Sequence, residues 1–436
     1  MLRNCVRQDG GLHHKGGLLA LLVCALALPA FAQQATSDAL AANGIKIGEG
    51  RLHPYLDIEG RVDSQAIIDP TSTATSVRYL PELVFNFRGG LKFDLTTPST
   101  LFNFNGNAGA SWYTGAFTGG ASTRASYFST DVGLAGAFNR DGALEFQLGD
   151  QLYRGNRAQS PDVVVGAISL RNSAYVAAPI HPGGKGIEIT PKVGWGVEFF
   201  SPQTACPPSL PNCQTVLTEL NSNDLNFNVN AKWRFLPKTA LAVDLDFGWR
   251  AYFNNAAAPQ AFLLRGLAGL SGLITSKISL VLMAGGGGDF RSTVATFIIT
   301  GEFGWNPVEN LRLRLGYIRT LQPVASTGIY GDDRPYLGAN LTFFRRLSIN
   351  VGGSFDWLTF YGAPVAGALV VNRSDYVVSL DVSPSVIITS WFNIGASYLL
   401  SVRGNAYVNT GAGASLPAGY TPYTRHEGVL RLTFQY

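Results

Sequence analysis

Charge is scarce in this sequence. Lys, Arg, Asp and Glu make up 14% of 436 residues, against about 25% in an average soluble domain. So little charge leaves a chain of this size with a largely apolar surface. Long hydrophobic runs are missing too. Beyond Ala32 none approaches the about 20 residues that a membrane-spanning helix needs. Cysteines number four and histidines five, and His53, His181 and His426 stand apart from one another and from any cysteine. That spacing offers no metal-ligand set and no nucleophile–histidine pair, so neither catalysis nor a cofactor is expected. The formal charge of +4 is small for the length and argues against nucleic acid as a partner.

What is abundant points elsewhere. Glycine reaches 50 residues and aromatics 11% of the chain. Residues 1–32 read as a secretory signal peptide. Arg3, Arg7 and Lys15 precede the apolar run from Leu18 to Leu28, and Ala30-Phe31-Ala32 forms an A-x-A cleavage site. Residues 33–50 are then a short periplasmic segment, and 51–436 one structural unit. An exported chain with an apolar surface and no spanning helix has one architecture open to it. Only helices and closed barrels satisfy their backbone in lipid, so an all-β, transmembrane antiparallel β-barrel is expected. Cys5 and Cys24 leave with the leader. Cys206 and Cys213, in CPPSLPNC, are expected to form a loop disulfide in an oxidising compartment.

Strict apolar–polar alternation carries the barrel reading. From Tyr79 to Leu95, Leu83, Phe85, Phe87, Leu91 and Phe93 take the lipid face, and Glu82, Asn86, Arg88, Lys92 and Asp94 take the lumen. From Asp224 to Phe235 the lumen set is Asn226, Asn228, Asn230, Lys232 and Arg234; from Thr239 to Phe253 it is Asp244, Asp246 and Arg250. The same rule places Asp57, Glu59, Arg61, Arg312, Arg314, Asp356, Asp381 and Arg431 in the lumen. A slip of one residue would turn Arg250 into lipid at about 2–4 kcal/mol, so the pattern fixes which face is which.

The strands alternate between short and long connections. Eight short turns are expected near Pro98–Thr100, Asn139–Gly142, His181–Gly186, Leu236–Lys238, Thr275–Lys277, Asn306–Asn310, Arg345–Arg346 and Thr389–Ser390. Nine longer connections are expected near 64–77, 115–124, 154–162, 202–222, 254–260, 290–292, 322–333, 361–373 and 404–423. Together they give about 18 strands, with both ends on the short-turn, periplasmic side. Too few residues precede the first strand for a plug domain. The ending GVLRLTFQY puts Phe434 and Tyr436 outward as a terminal assembly signal for the barrel assembly machinery, closing on Leu52–Asp63. Trp195, Trp233, Trp249, Trp305, Trp357 and Trp391 read as interfacial girdle residues near strand ends. AGGGGD at Ala284–Asp289 lacks the Lys-Ser/Thr of a phosphate loop and reads as a crowded strand end. The 202–222 connection is the expected constriction. Gly106, Ala108 and Ala110, beside Gly133–Ala137, hint at a small-residue outer face that a trimer would need.

The lumen set mixes acids, bases and asparagines, which argues against a simple charge filter. Such a lining suits hydroxyl-rich solutes such as glycans, and the asparagines suit equally a wall that is merely wet. The opening GEGRLHPYLDIEGRVDSQ, Gly48–Gln65, resembles the start of the beta-barrel porin type 2 families, with Val62-Asp63-Ser64-Gln65 in place of their Tyr-Asp-Ser-Asn-like turn. That resemblance implies an outer-membrane conduit. Its myxobacterial polysaccharide-export subgroup implies export of secreted polysaccharide with a periplasmic export partner. The alternatives are a passive diffusion porin for sugars or small solutes and a non-conducting structural or receptor barrel.

Overall fold

A computed structural model of the chain describes residues 44–69, 78–120, 123, 125–156, 167–184, 186–203, 213–254, 260–291, 294–324, 328–361, 370–410 and 422–436. The leader, most of the 33–50 segment and Cys206 lie outside these residues, and with them the signal peptide and the disulfide.

A short strand, β1 (Ile45–Ile47), folds back on β2 (Gly50–Ile68), pairing Ile45 with Leu52. The expected periplasmic segment therefore ends in a strand. The chain then runs through β3 (Tyr79–Thr96), β4 (Thr100–Tyr113), β5 (Tyr127–Phe138), β6 (Phe146–Asn156), β7 (Ala167–Ala177) and β8 (Ile187–Pro202). A helix, α1 (Cys213–Thr218), leads into β9 (Ser222–Leu236), β10 (Thr239–Tyr252), β11 (Ala261–Leu273), β12 (Ile278–Asp289) and β13 (Val294–Val308). The last six are β14 (Leu311–Val324), β15 (Gly328–Phe343), β16 (Leu347–Tyr361), β17 (Val370–Thr389), β18 (Phe392–Thr410) and β19 (Tyr423–Gln435). From β2 onward each strand pairs antiparallel with the next. β19 pairs with β2 from Gln435↔Tyr55 to Glu427↔Asp63, closing an 18-stranded barrel.

All eight short turns fall where the alternation lapses. Left-handed backbone at Asn139, Phe344 and Arg345 makes two of them tight. The long connections need correction. The expected 322–333 loop is ladder: Val324 pairs with Gly328, leaving only 325–327 between β14 and β15. Strands also run into the expected 64–77, 361–373 and 404–423 loops, because β2 reaches Ile68, β17 starts at Val370 and β18 reaches Thr410. The ladder carries these strands past the end of the strict alternation, pairing Ile68 with Tyr79 and Val370 with Thr410.

The outer wall is predominantly apolar. Leu270, Leu315, Leu337 and Leu430 are exposed there. Trp112, Trp233, Trp249, Trp305, Trp357 and Trp391 sit towards strand ends, and Phe434 stacks on Phe392 with ring centroids 4.8 Å apart. Trp195 departs from expectation: it lies in mid-strand on β8, opposite Ala174.

Candidate functional site: the polar lumen and its narrowed mouth

The register places every residue expected in the lumen on the inward face, where cross-strand partners hold most of them. Glu59 is the hub at the closing seam. It accepts hydrogen bonds from Asn86 Nδ2 (2.7 Å), Arg88 Nη2 (2.7 Å) and Arg431 Nη2 (2.7 Å). Thr433 donates to Asp57 at 2.6 Å. Higher on the same seam, Arg425 joins Asp63 (2.7 Å) and Glu427 (2.6 Å). Three side-chain ties thus support the ladder between β19 and β2, which leaves neither strand with an open edge along their pairing.

The asparagine ladder of β9 binds the acids of β10. Asn228 and Asn230 donate to Asp244 at 3.0 and 2.9 Å, and Asn226 to Asp246 at 2.6 Å. Arg250 pairs with Asp224, and Arg265 with Asp246. Arg234 and Lys232 share Glu188 at 3.0 and 3.7 Å. Across β15–β18, Arg334 joins Asp332 and Asp356, while fully buried Asp375 binds both Arg373 and Arg403.

Tyrosines laid flat on cross-strand glycines recur along the wall. A Cβ on Gly90 would come within 2.4 Å of the Tyr55 ring, one on Gly316 within 2.2 Å of Tyr336. With no side chain beneath, Tyr336 reaches Glu302 at 2.7 Å. Lys92 and Lys192 lie over Tyr55 and Tyr175, 4.5 and 4.2 Å from the ring centroids. Arg314, Gly338, Gly352 and Asp381 form one transverse row, with the guanidinium over Gly338 and the carboxylate over Gly352. Arg312 and Arg314 are in no ion pair among the described residues. Asp94 lies opposite Arg51 and Asn103.

The mouth on the long-connection side is different. Ile67, Val84 and Tyr113 form an inward apolar cluster. Thr114 and Thr118 hydroxyls cover Glu82 at 3.1 and 2.9 Å. α1 packs inward, with Leu217 on Ala167 and Phe200, so the described part of the expected 202–222 constriction does lie on the inner rim.

The larger intrusion is one that the alternation did not reveal. β13 and β14 pair only as far as Ile299↔Arg319, whereas β14 and β15 stay paired to Val324↔Gly328. The freed hairpin tip turns inside the barrel. Its outer face, Leu321 and Ile329, is buried on Ala261 and Leu263 of β11, whose side chains point inward. Its other face, through Val324 and Tyr330, meets Leu358, Phe360 and Val377 on β16 and β17. Arg265 donates to the Thr320 hydroxyl at 3.4 Å. A segment apolar on both faces is the available sequence signal, because a strand covered on both sides loses its alternation.

AGGGGD ends β12 in a crowded place, as expected: a Cβ on Gly285 would lie 1.8 Å from the Gly266 carbonyl oxygen. Among the described residues no three His, Cys, Asp or Glu side chains converge to hold a metal.

The geometry defines a closed antiparallel barrel, predominantly apolar outside and hydrogen-bonded polar inside. No protein-family model matches the sequence, and no curated protein matches it. Among solved structures, the chain is similar in fold to OccAB3 of Acinetobacter baumannii, at 10% identity over 89% of this chain and 100% of that one, with a TM-score of 0.45. The outer membrane protein OpdK of Pseudomonas aeruginosa gives 11% identity over 88% and 99%, TM-score 0.42. The siderophore receptor PirA of Acinetobacter baumannii gives 8% over 88% and 80%, TM-score 0.45.

Proposed function

We propose that this chain is an outer-membrane barrel of a Gram-negative bacterium that conducts hydrophilic solute, with passage controlled at its outer mouth. The observation that carries the reading is the two-faced wall. Its outward face is predominantly apolar, and its inward face carries an almost continuous hydrogen-bonded polar lining. Barrels of 16–18 strands are wide enough for an aqueous channel. Glycans suit the lining, because Asn, Ser and flat Tyr hydroxyls exchange hydrogen bonds with sugar hydroxyls.

Two forms of the reading differ in what the mouth does. Export of a secreted polysaccharide, with a periplasmic partner, calls for a barrel nearly closed on its own; the inward β14–β15 tip and α1 favour that form. Passive sugar diffusion calls for an open barrel; the described lining on the short-turn side, which carries no comparable intrusion, favours that form. Swelling of liposomes carrying the refolded chain separates them. Diffusion predicts swelling in monosaccharides by the intact chain. Export predicts swelling only after the β14–β15 tip is removed. No swelling by either chain contradicts both.

A further inference from the structure

One feature of the outer wall does not belong on a lipid-facing surface. Asp150 lies opposite Leu134 and Ala174, on the face it shares with Leu148 and Leu152. It therefore points away from the lumen. It is the fifth residue of the eleven in β6, which sets it near mid-depth. Asn172, outward on β7 opposite Leu152 and Val197, donates to Asp150 Oδ1 at 3.0 Å. The other charged or basic outward side chains, Arg154, Arg319, Asp333 and His426, lie in the half of their strands nearer the long connections, where headgroups and water can solvate them. A carboxylate at mid-depth has no such recourse. Intramembrane ionisable groups are costly and face protein or water.

We propose that the outer wall formed by β4–β7 is where copies of this chain meet. The polar pair has capacity to spare. Asp150 Oδ2, the Asn172 carbonyl oxygen and one Asn172 amide hydrogen have no partner among the described residues. In a membrane, closed symmetry runs about the bilayer normal, so residues of equal height meet across it. The pair from one copy then faces the same donors and acceptors on the next, and donor finds acceptor. Lipid tails can supply neither.

The neighbouring wall has the shape for such contact. Gly89, Gly106, Ala108, Thr130 and Val132 floor a recess of about 450 Å³ beside β6. Small residues let two walls approach closely. Ala174 continues the low ground next to Asp150, and Trp195, 47% exposed, stands at its far side as a knob. β5, β6 and β7 have 12, 11 and 11 residues, against 20 in β17, so this is also a low side of the barrel. The proposal rests on the membrane setting given above and not on conduction.

The test is the mass of the chain extracted from membranes in mild detergent, read by light scattering and native mass spectrometry. Two or three copies are expected. Asp150→Leu with Asn172→Leu is expected to shift dissociation to about tenfold higher protein concentration, the size of effect of one or two hydrogen bonds in lipid. Ala174→Trp is expected to split the assembly, while Ala268→Trp, on the outer face of β11, leaves it intact. Heat-modifiable migration checks that each variant is a folded barrel. If Ala174→Trp fails that check, the double leucine variant decides, since it only makes a lipid-facing wall more apolar. A single-copy mass for the unaltered chain overturns the proposal. So does an unchanged dissociation concentration in the double variant, or a particle holding a different polypeptide. A water-soluble fraction would overturn the membrane setting itself.

Discussion

Asp375 shows how much a single lumen side chain carries. It is fully buried, binds Arg373 Nε at 2.7 Å and Arg403 Nη2 at 2.6 Å, and has no solvent to fall back on. Asp375→Ala leaves two buried guanidiniums without their acid. Breaking a buried ion pair in this way costs about 3–5 kcal/mol, so the urea midpoint of the folded barrel should fall clearly. Asp94→Ala, on a partly exposed carboxylate, should fall within error of the unaltered chain. Gly316 tests the flat tyrosines. Gly316→Ala puts a methyl where the Tyr336 ring lies, and overpacking of this kind costs about 1–3 kcal/mol. The loss should appear as a lowered midpoint, and Tyr336→Ser in the same chain should recover part of it. Equal midpoints for Gly316→Ala with and without Tyr336→Ser would contradict the account. These sites were half legible in the sequence. Period-2 alternation gave Glu59, Asp244 and Arg431 their face, because one residue of slip would bury charge in lipid. Their partners were not legible, since a hydrogen bond between Arg431 and Glu59 spans nearly the whole chain and depends on closure.

At the scale of elements, the β14–β15 tip is the part that should move. Leu321 is its anchor, buried with Ile329 on the inner face of β11. Leu321→Asp sets an unpaired charge in that contact. The tip should leave the wall, and protease should then cut near 325–327 in the folded barrel at a rate at least several-fold above the unaltered chain. An unchanged cleavage rate would mean that the tip is not held by this contact. The eight short turns are legible because the alternation lapses there, and five of them carry Pro, Gly, Asn or Asp. Residues 322–333 read from the sequence as a loop. The structure instead ties Asp332 to Arg334, and Arg334 in turn to Asp356. Asp150 escaped notice for the opposite reason. A short strand of mixed residues, FQLGDQLYRGN, alternates too weakly to declare its faces. Only pairing with β5 and β7 settles that Asp150 points outward.

For the whole molecule, the claim is a hydrophilic path through a membrane, closed at one seam and narrowed at one mouth. The seam is secured by Glu59, Asp63 and Asp57 on β2 against Arg431, Arg425 and Thr433 on β19. The most direct test is single-channel current in a planar bilayer. The refolded chain should be compared with one in which residues 320–331 are replaced by a two-glycine turn. The account predicts a steady conductance that is larger without the tip and falls when a neutral oligosaccharide is added. Silence from both chains, each shown by heat-modifiable migration to be a folded barrel, would contradict it.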